Sequence, residues 1–152
     1  MNPETQNAPL GPLKMVVGVM AAGCAIIGVT ASMIMPPPED PPTLMQQLLP
    51  VLIPLVTAAV AWAYLSRPPK ATGELAPDGQ AMGLLRTRTM MAAAITEAGG
   101  LLAFGFGFAF DFVPLAVTIA MILAAVLVLA VAWPRASRLA EWERELRHTS
   151  RR

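Results

Sequence analysis

Cysteine and histidine are almost missing from this chain, which has one of each, Cys24 and His148. A lone thiol builds no disulfide framework. One Cys with one His cannot assemble a typical zinc or haem site within a single chain, so no metal and no cofactor are expected. Charge is scarce as well: 14% of the 152 residues are Asp, Glu, Lys or Arg, against about 25% in an ordinary soluble domain. That deficit points to the bilayer as solvent. The net charge of +1 gives no electrostatic case for nucleic acid, and no aromatic residues interleave with the cations as on a nucleic-acid groove. Reactive constellations are absent too. No Ser-His pair, Asp pair, HExxH or Cys-His combination falls at membrane depth, so no catalytic residues are assigned and no enzymatic activity is expected. The Gly-containing stretch 66–83 lacks the Lys-Ser/Thr of a phosphate-binding loop.

What the sequence does contain is four long apolar runs, Met15–Met35, Thr43–Leu65, Thr89–Phe110 and Phe112–Trp133. Each is close to the ~20 residues that a helix rising 1.5 Å per residue needs to cross a membrane. The expected fold is an all-α integral membrane protein with four transmembrane helices arranged as two hairpins, plus a short C-terminal amphipathic helix. Its parts are a polar arm over 1–14, a membrane domain over 15–134 with an inner loop over 66–88, and a tail over 135–152. The eleven Lys and Arg then sort to one side. Lys14 precedes the first run; Arg67, Lys70, Arg86 and Arg88 lie between the second and third; Arg135, Arg138, Arg144, Arg147, Arg151 and Arg152 follow the fourth. The other two connections hold only Glu39, Asp40 and Asp111. This positive-inside pattern places both termini in the cytoplasm, and a bacterial inner membrane is the expected location. The stretch Ala21-Ala22-Gly23-Cys24 resembles a bacterial lipoprotein cleavage box, but it lacks the usual preceding Leu and the run continues apolar beyond Cys24. The segment is read as a retained span.

The spans differ in detail. The first carries a small-residue stripe, Ala21, Ala25, Gly28 and Ser32, on one helical face, suited to close helix packing within the chain or with a partner. Pro36–Pro42 predicts a stiff extended connection. Pro50 and Pro54 predict a kink in the second span. Trp62, Tyr64 and Trp133 fit an aromatic belt at the inner interface. The tail Ser137–Arg147 places Leu139, Trp142 and Leu146 on one face, with Ser137 as a candidate N-cap. It is expected to lie on the inner leaflet with Trp142 interfacial, docking on the polar loop or a partner being the alternative.

The third span holds the chemistry. Glu97 lies nine residues beyond Arg88, about 13 Å along a helix axis, which places it near the bilayer midplane. It is the sole ionisable side chain in the interior of any span. A charge there costs about 2.5–3.5 kcal/mol on insertion scales, so the group must be protonated, paired or facing water. Ala93 and Gly100 share its side of the helix and admit a close neighbour; Thr96, Gly99 and Thr118 are candidate polar neighbours. No Lys, Arg or His occurs at that depth. The run LLAFGFGFAF alternates with period two, but an open strand in lipid is forbidden, so it is read as helix.

Two resemblances follow from these residues. Gln80–Arg147, through AITEAGGLLAFG and WPRASRLAEWERELR, resembles the second hairpin and tail of small bacterial four-span proteins of uncharacterised function. Locally, LLRTRTMMAAAITEAGGLLAFG is similar to the carboxylate-bearing helix of the rotor c subunit of ATP synthases. That helix has an Arg at its inner start and a carboxylate eleven residues on, as Arg86 and Glu97 stand here. This resemblance implies a proton or ion site at Glu97. The second span departs from it, holding Pro50 and Pro54 where the family is Gly-rich. The residues themselves point first to a non-catalytic accessory, assembly or scaffolding subunit of a larger membrane complex. Its partners would be the lipid bilayer and other membrane subunits or further copies of the chain. Ion translocation through Glu97 is the alternative.

Overall fold

The computed structural model describes residues 10–68 and 77–149, in which five helices follow one another. They are α1 (Gly11–Ile34), α2 (Leu44–Leu65), α3 (Pro77–Ala109), α4 (Pro114–Ala132) and α5 (Ala136–Thr149). The described residues contain no strand. Helices α1 to α4 are each long and apolar enough to cross a membrane. The protein is an all-α integral membrane protein, with four spans and a short amphipathic helix after them; α1 and α2 do not pair as the expected first hairpin, because α1 packs on α4 while α2 packs on α3 and α4.

Local chemistry fixes the ends of the spans. Thr43 caps α2: its hydroxyl accepts from the Gln46 backbone N–H at 3.3 Å, and its own N–H donates to the Gln46 side-chain oxygen at 2.9 Å. This reciprocal capping box satisfies two otherwise orphan donors. The Gln46 side-chain nitrogen also donates to the Phe110 carbonyl at 3.4 Å, tying the start of α2 to the end of α3. Helix α3 stops at Asp111, which takes a positive φ of 50°. The next N–H, from Phe112, reaches back to the Gly107 carbonyl at 3.1 Å, the 6→1 bond of a Schellman stop. Pro114 then opens α4 at a position where a missing N–H costs nothing.

Helix α4 is the hub of the bundle. It packs broadly on α1, α2 and α3, and α3 also packs broadly on α2; α1 and α2 have no substantial contact with each other. Its buried face is Ala116, Val117, Ala120, Met121, Ala124, Ala125, Val128 and Ala132. Glycines on the neighbours let backbones come in against it. A Cβ on Gly28 would stand 2.7 Å from the Met121 Cβ, and one on Gly100 would stand 2.8 Å from the Ala124 Cβ. The Thr118 hydroxyl lies 3.0 Å from both the Gly28 carbonyl of α1 and the Pro114 carbonyl of its own helix, sharing one proton between them.

The buried stripe of α1 is Leu13, Val17, Ala21, Cys24, Gly28 and Ala31. Ala21 and Gly28 lie in it and Ala25 at its edge, but Ser32 is exposed and donates to its own helix at the Val29 carbonyl, 2.6 Å away. The stripe drifts because 3.6 residues per turn carries the contact line from 28 to 31 rather than 32. Most of the small face is therefore spent on the chain's own α4. Helix α2 runs unbroken through Pro50 and Pro54, both of them buried. Gly99 of α3 comes in against them, where a Cβ would lie 3.0 Å from the Pro54 Cα and would collide with the Thr57 hydroxyl.

The stretch 66–88 was expected to be a loop, yet α3 begins at Pro77. Its first twelve residues add about 18 Å of helix beyond the apolar span. The tail follows from this. Leu139, Trp142 and Leu146 of α5 are buried against Ala81 and Leu85 of that extension and against Leu10. Trp142 is only 5% exposed, so its ring fills a protein seam rather than reaching for a leaflet. Ser137 lies inside the first turn of α5, which starts at Ala136, and is not its cap. Arg88 clamps the junction. Its guanidinium sits 5.0 Å from the Trp142 ring centre and 5.9 Å from that of Tyr64. It donates to the Arg67 carbonyl and, at 3.3 Å, to the Pro68 carbonyl just past α2. Stacked aromatic contact plus a donor fork suits Arg and not Lys.

Gly99→Ala should destabilise the protein by about 1–3 kcal/mol through overpacking against Pro54 and Thr57. Gly105→Ala, where a Cβ meets nothing within 4 Å, should be neutral or slightly stabilising. Thermal unfolding of both variants in one detergent checks the pair. Arg88→Lys keeps the charge but loses the fork, so it should raise hydrogen exchange in α5 relative to the wild-type protein while α4 stays protected.

Candidate intramembrane site

Glu97 projects from the side of α3 whose neighbouring turns carry Ala93 and Gly100. Ala93 is fully buried in a cluster with Val17, Ala21 and Cys24 of α1 and Met121 and Ala124 of α4. The small side chains at 93 and 100 draw α3 onto α4, and this leaves Glu97 turned toward α1. Across that boundary stands the buried Cys24 of α1, within range of the carboxyl. Helices α1 and α3 run parallel, since Cys24 stands level with Glu97 and Met35 level with Gly107. They share a much narrower contact than α1 has with α4. Glu97 is half-buried at this boundary.

The candidate polar neighbours are committed elsewhere. The Thr96 hydroxyl donates to the Ala92 carbonyl at 2.9 Å, Thr118 bonds α1 and its own helix, and Gly99 faces α2. Among the described residues Glu97 has no hydrogen bond and no ion pair. The site is thus one carboxyl beside one thiol, walled by Ala93, Gly100, Phe104 and the apolar side of α1. Such a site can accept or donate a hydrogen bond, or exchange a proton. The thiol is buried, and no histidine lies in any of the four spans. Nor does any group of three or more His, Cys, Asp or Glu gather as metal ligands among the described residues.

The remaining sequence candidates scatter. Trp62 is 60% exposed near the end of α2 and Trp133 is 37% exposed at the end of α4, positions open to lipid headgroups. Tyr64 is half-buried beneath Arg88. At the opposite, acidic end lies a cleft of about 410 Å³ lined by Met35, Pro36–Pro38, Glu39, Asp40, Gln46, Gly107, Phe108, Asp111 and Phe112. Phe104 and Phe108 meet edge to face at 5.3 Å, as do Phe106 and Phe110 at 5.6 Å, which makes LLAFGFGFAF a helix with two aromatic ridges. Sequence reasoning missed Cys24 as the neighbour of Glu97, because nothing in the chain states that α1 and α3 lie side by side and in register. It also missed Arg88 as a clamp, since a cation beside a span already had an explanation in orientation.

No protein-family model matches this chain, and no curated protein or solved structure matches it either.

Cys24 is 0% exposed. Its reaction with a maleimide should therefore be at least about tenfold slower in the folded protein than after unfolding in dodecyl sulfate, since a buried thiol reacts only on local opening. Equal rates would place the thiol at the bundle surface.

Proposed function

We propose that this protein is a non-catalytic membrane subunit that joins a larger membrane complex by packing a partner helix against the α1–α3 boundary, with Glu97 as the polar contact. The observation that carries the reading is a half-buried carboxyl near mid-span with no hydrogen-bond partner among the described residues. In hydrocarbon a polar group without a partner is costly, and a donor brought by a second helix removes that cost. The α1–α3 boundary suits this role because the two helices share only a narrow contact. The small-residue stripe on α1 does not supply the docking surface, being largely occupied by α4. The distribution of cations supports an orientation with both termini in the cytoplasm of a bacterial inner membrane.

Ion translocation by Glu97 is the second reading, favoured by the Arg86–Glu97 spacing that resembles the rotor helix and by the carboxyl's incomplete burial. It lacks a relay, since the hydroxyls of Thr96 and Thr118 are both engaged with carbonyls. The packing reading therefore stands ahead.

The two readings part on conservative substitution. Packing requires a hydrogen-bonding group, so Glu97→Gln should preserve the complex recovered in mild detergent, and Glu97→Leu should reduce its recovery several-fold. Translocation requires a titrating group, so Glu97→Gln would abolish proton flux in proteoliposomes. A wild-type protein recovered from its native membrane only as a monomer, with no chain accompanying it, overturns the packing reading.

A further inference from the structure

The elbow between α4 and α5 has an excess of positive charge that the chain itself does not neutralise. Helix α4 ends at Ala132, Trp133 and Pro134 follow, and α5 then folds back along the α3 extension. Arg135 and Arg138 open this return, one turn apart on the same side. Arg135 is exposed and its side chain has no partner among the described residues. Arg138 is half-buried, and its Nη1 is enclosed where no acceptor meets it. One turn further along α5 stands Trp142, on whose ring Arg88 lies at 5.0 Å. Arg88 in turn spends its donors on backbone carbonyls and meets no carboxylate. The residue after it, Thr89, is 1% exposed, and its hydroxyl also lacks a partner. Glu141 is the acid whose charge acts on Arg138.

Arg135 and Arg138 thus stand together at the elbow, with Glu141 the acid that acts on Arg138. A buried guanidinium nitrogen without an acceptor is among the more costly states a side chain can occupy. Burial, with Arg135 next to it, holds the Arg138 guanidinium below its ordinary pKa, and Glu141 opposes that shift only in part. The missing element is an anion with several acceptor oxygens, placed where the apolar span ends. Phosphate oxygens match the planar fork of Arg in a bidentate way, and basic pockets at this level of a membrane protein suit anionic headgroups.

We propose that the α4–α5 elbow is a binding site for a phosphate-bearing anion, held by Arg135 and Arg138. Arg135 is exposed and Arg138 only half-buried, which gives the phosphate its approach. The exposed ring of Trp133 beside it sets the depth at the headgroup layer.

The delipidated protein in a neutral detergent tests this by native mass spectrometry and thermal unfolding, with phosphatidylglycerol, phosphatidylcholine or inorganic phosphate added separately. Phosphatidylglycerol should be retained several-fold more than phosphatidylcholine and should raise the unfolding temperature. Arg135→Gln combined with Arg138→Gln should abolish that preference. Arg144→Gln, whose side chain bonds its own helix at Ala140, should leave it unchanged. If the double variant does not assemble, Arg135→Gln alone, at an exposed position, should lower the preference. Stabilisation by millimolar inorganic phosphate without any lipid preference would keep the site and assign a soluble phosphate as its source. Equal retention of the two lipids with no effect of phosphate overturns the proposal. So does a phosphatidylglycerol preference that survives both arginine substitutions.

Discussion

Close approach of backbones onto α4 is the constraint on which the rest of the bundle depends. In lipid there is no hydrophobic force to press helices together, so packing and a few hydrogen bonds must hold them. Gly28 and Gly100 bring α1 and α3 to within contact of α4 at Met121 and Ala124, and Thr118 adds one hydrogen bond across to α1. Because α4 presents mostly Ala and Val, it can be touched from three sides at once. Its plain composition, which offers nothing to a functional reading, is what allows it to be central.

That centrality leaves Glu97 where it is. With α1 and α3 both drawn to α4 and not strongly to each other, a seam remains between them, and the mid-span carboxyl occupies it beside Cys24. The polar side chains that a reading of α3 would give to Glu97 are instead consumed in keeping helices satisfied: Thr96 on its own turn, Thr118 across the α1–α4 contact. The carboxyl is thus left over among described residues whose hydroxyls at that depth are engaged with carbonyls.

At the cationic end the same logic runs through Arg88. One side chain gathers the end of α2, the start of the α3 span and the Trp142 face of α5, so that the tail becomes part of the protein rather than an appendage on the membrane surface. Its donors are then committed, and Arg135 and Arg138 stand unneutralised at the elbow. The positive charge at this end is in this way divided between a structural clamp and a pair of arginines still short of acceptors.

The four spans, their order and the segregation of cations were legible in the sequence, because hydropathy over some 20 residues reflects a solvent and needs no knowledge of neighbours. The mid-span position of Glu97 was legible for the same reason. What surrounds Glu97 was not. Whether 31 or 32 belongs to the α1 contact, whether 77–88 is loop or helix, and whether Trp142 meets lipid or Leu85 all depend on which elements lie side by side. Those choices turn on ångström-scale contacts such as Gly99 on Pro54, between residues more than forty positions apart. The sequence by itself determined that this chain crosses the membrane four times with one carboxyl near its middle. Only the tertiary structure decided that the carboxyl faces a seam between two parallel helices and that the tail is docked, because both outcomes follow from which helix faces win contact with α4 and the α3 extension, a competition that no local pattern encodes.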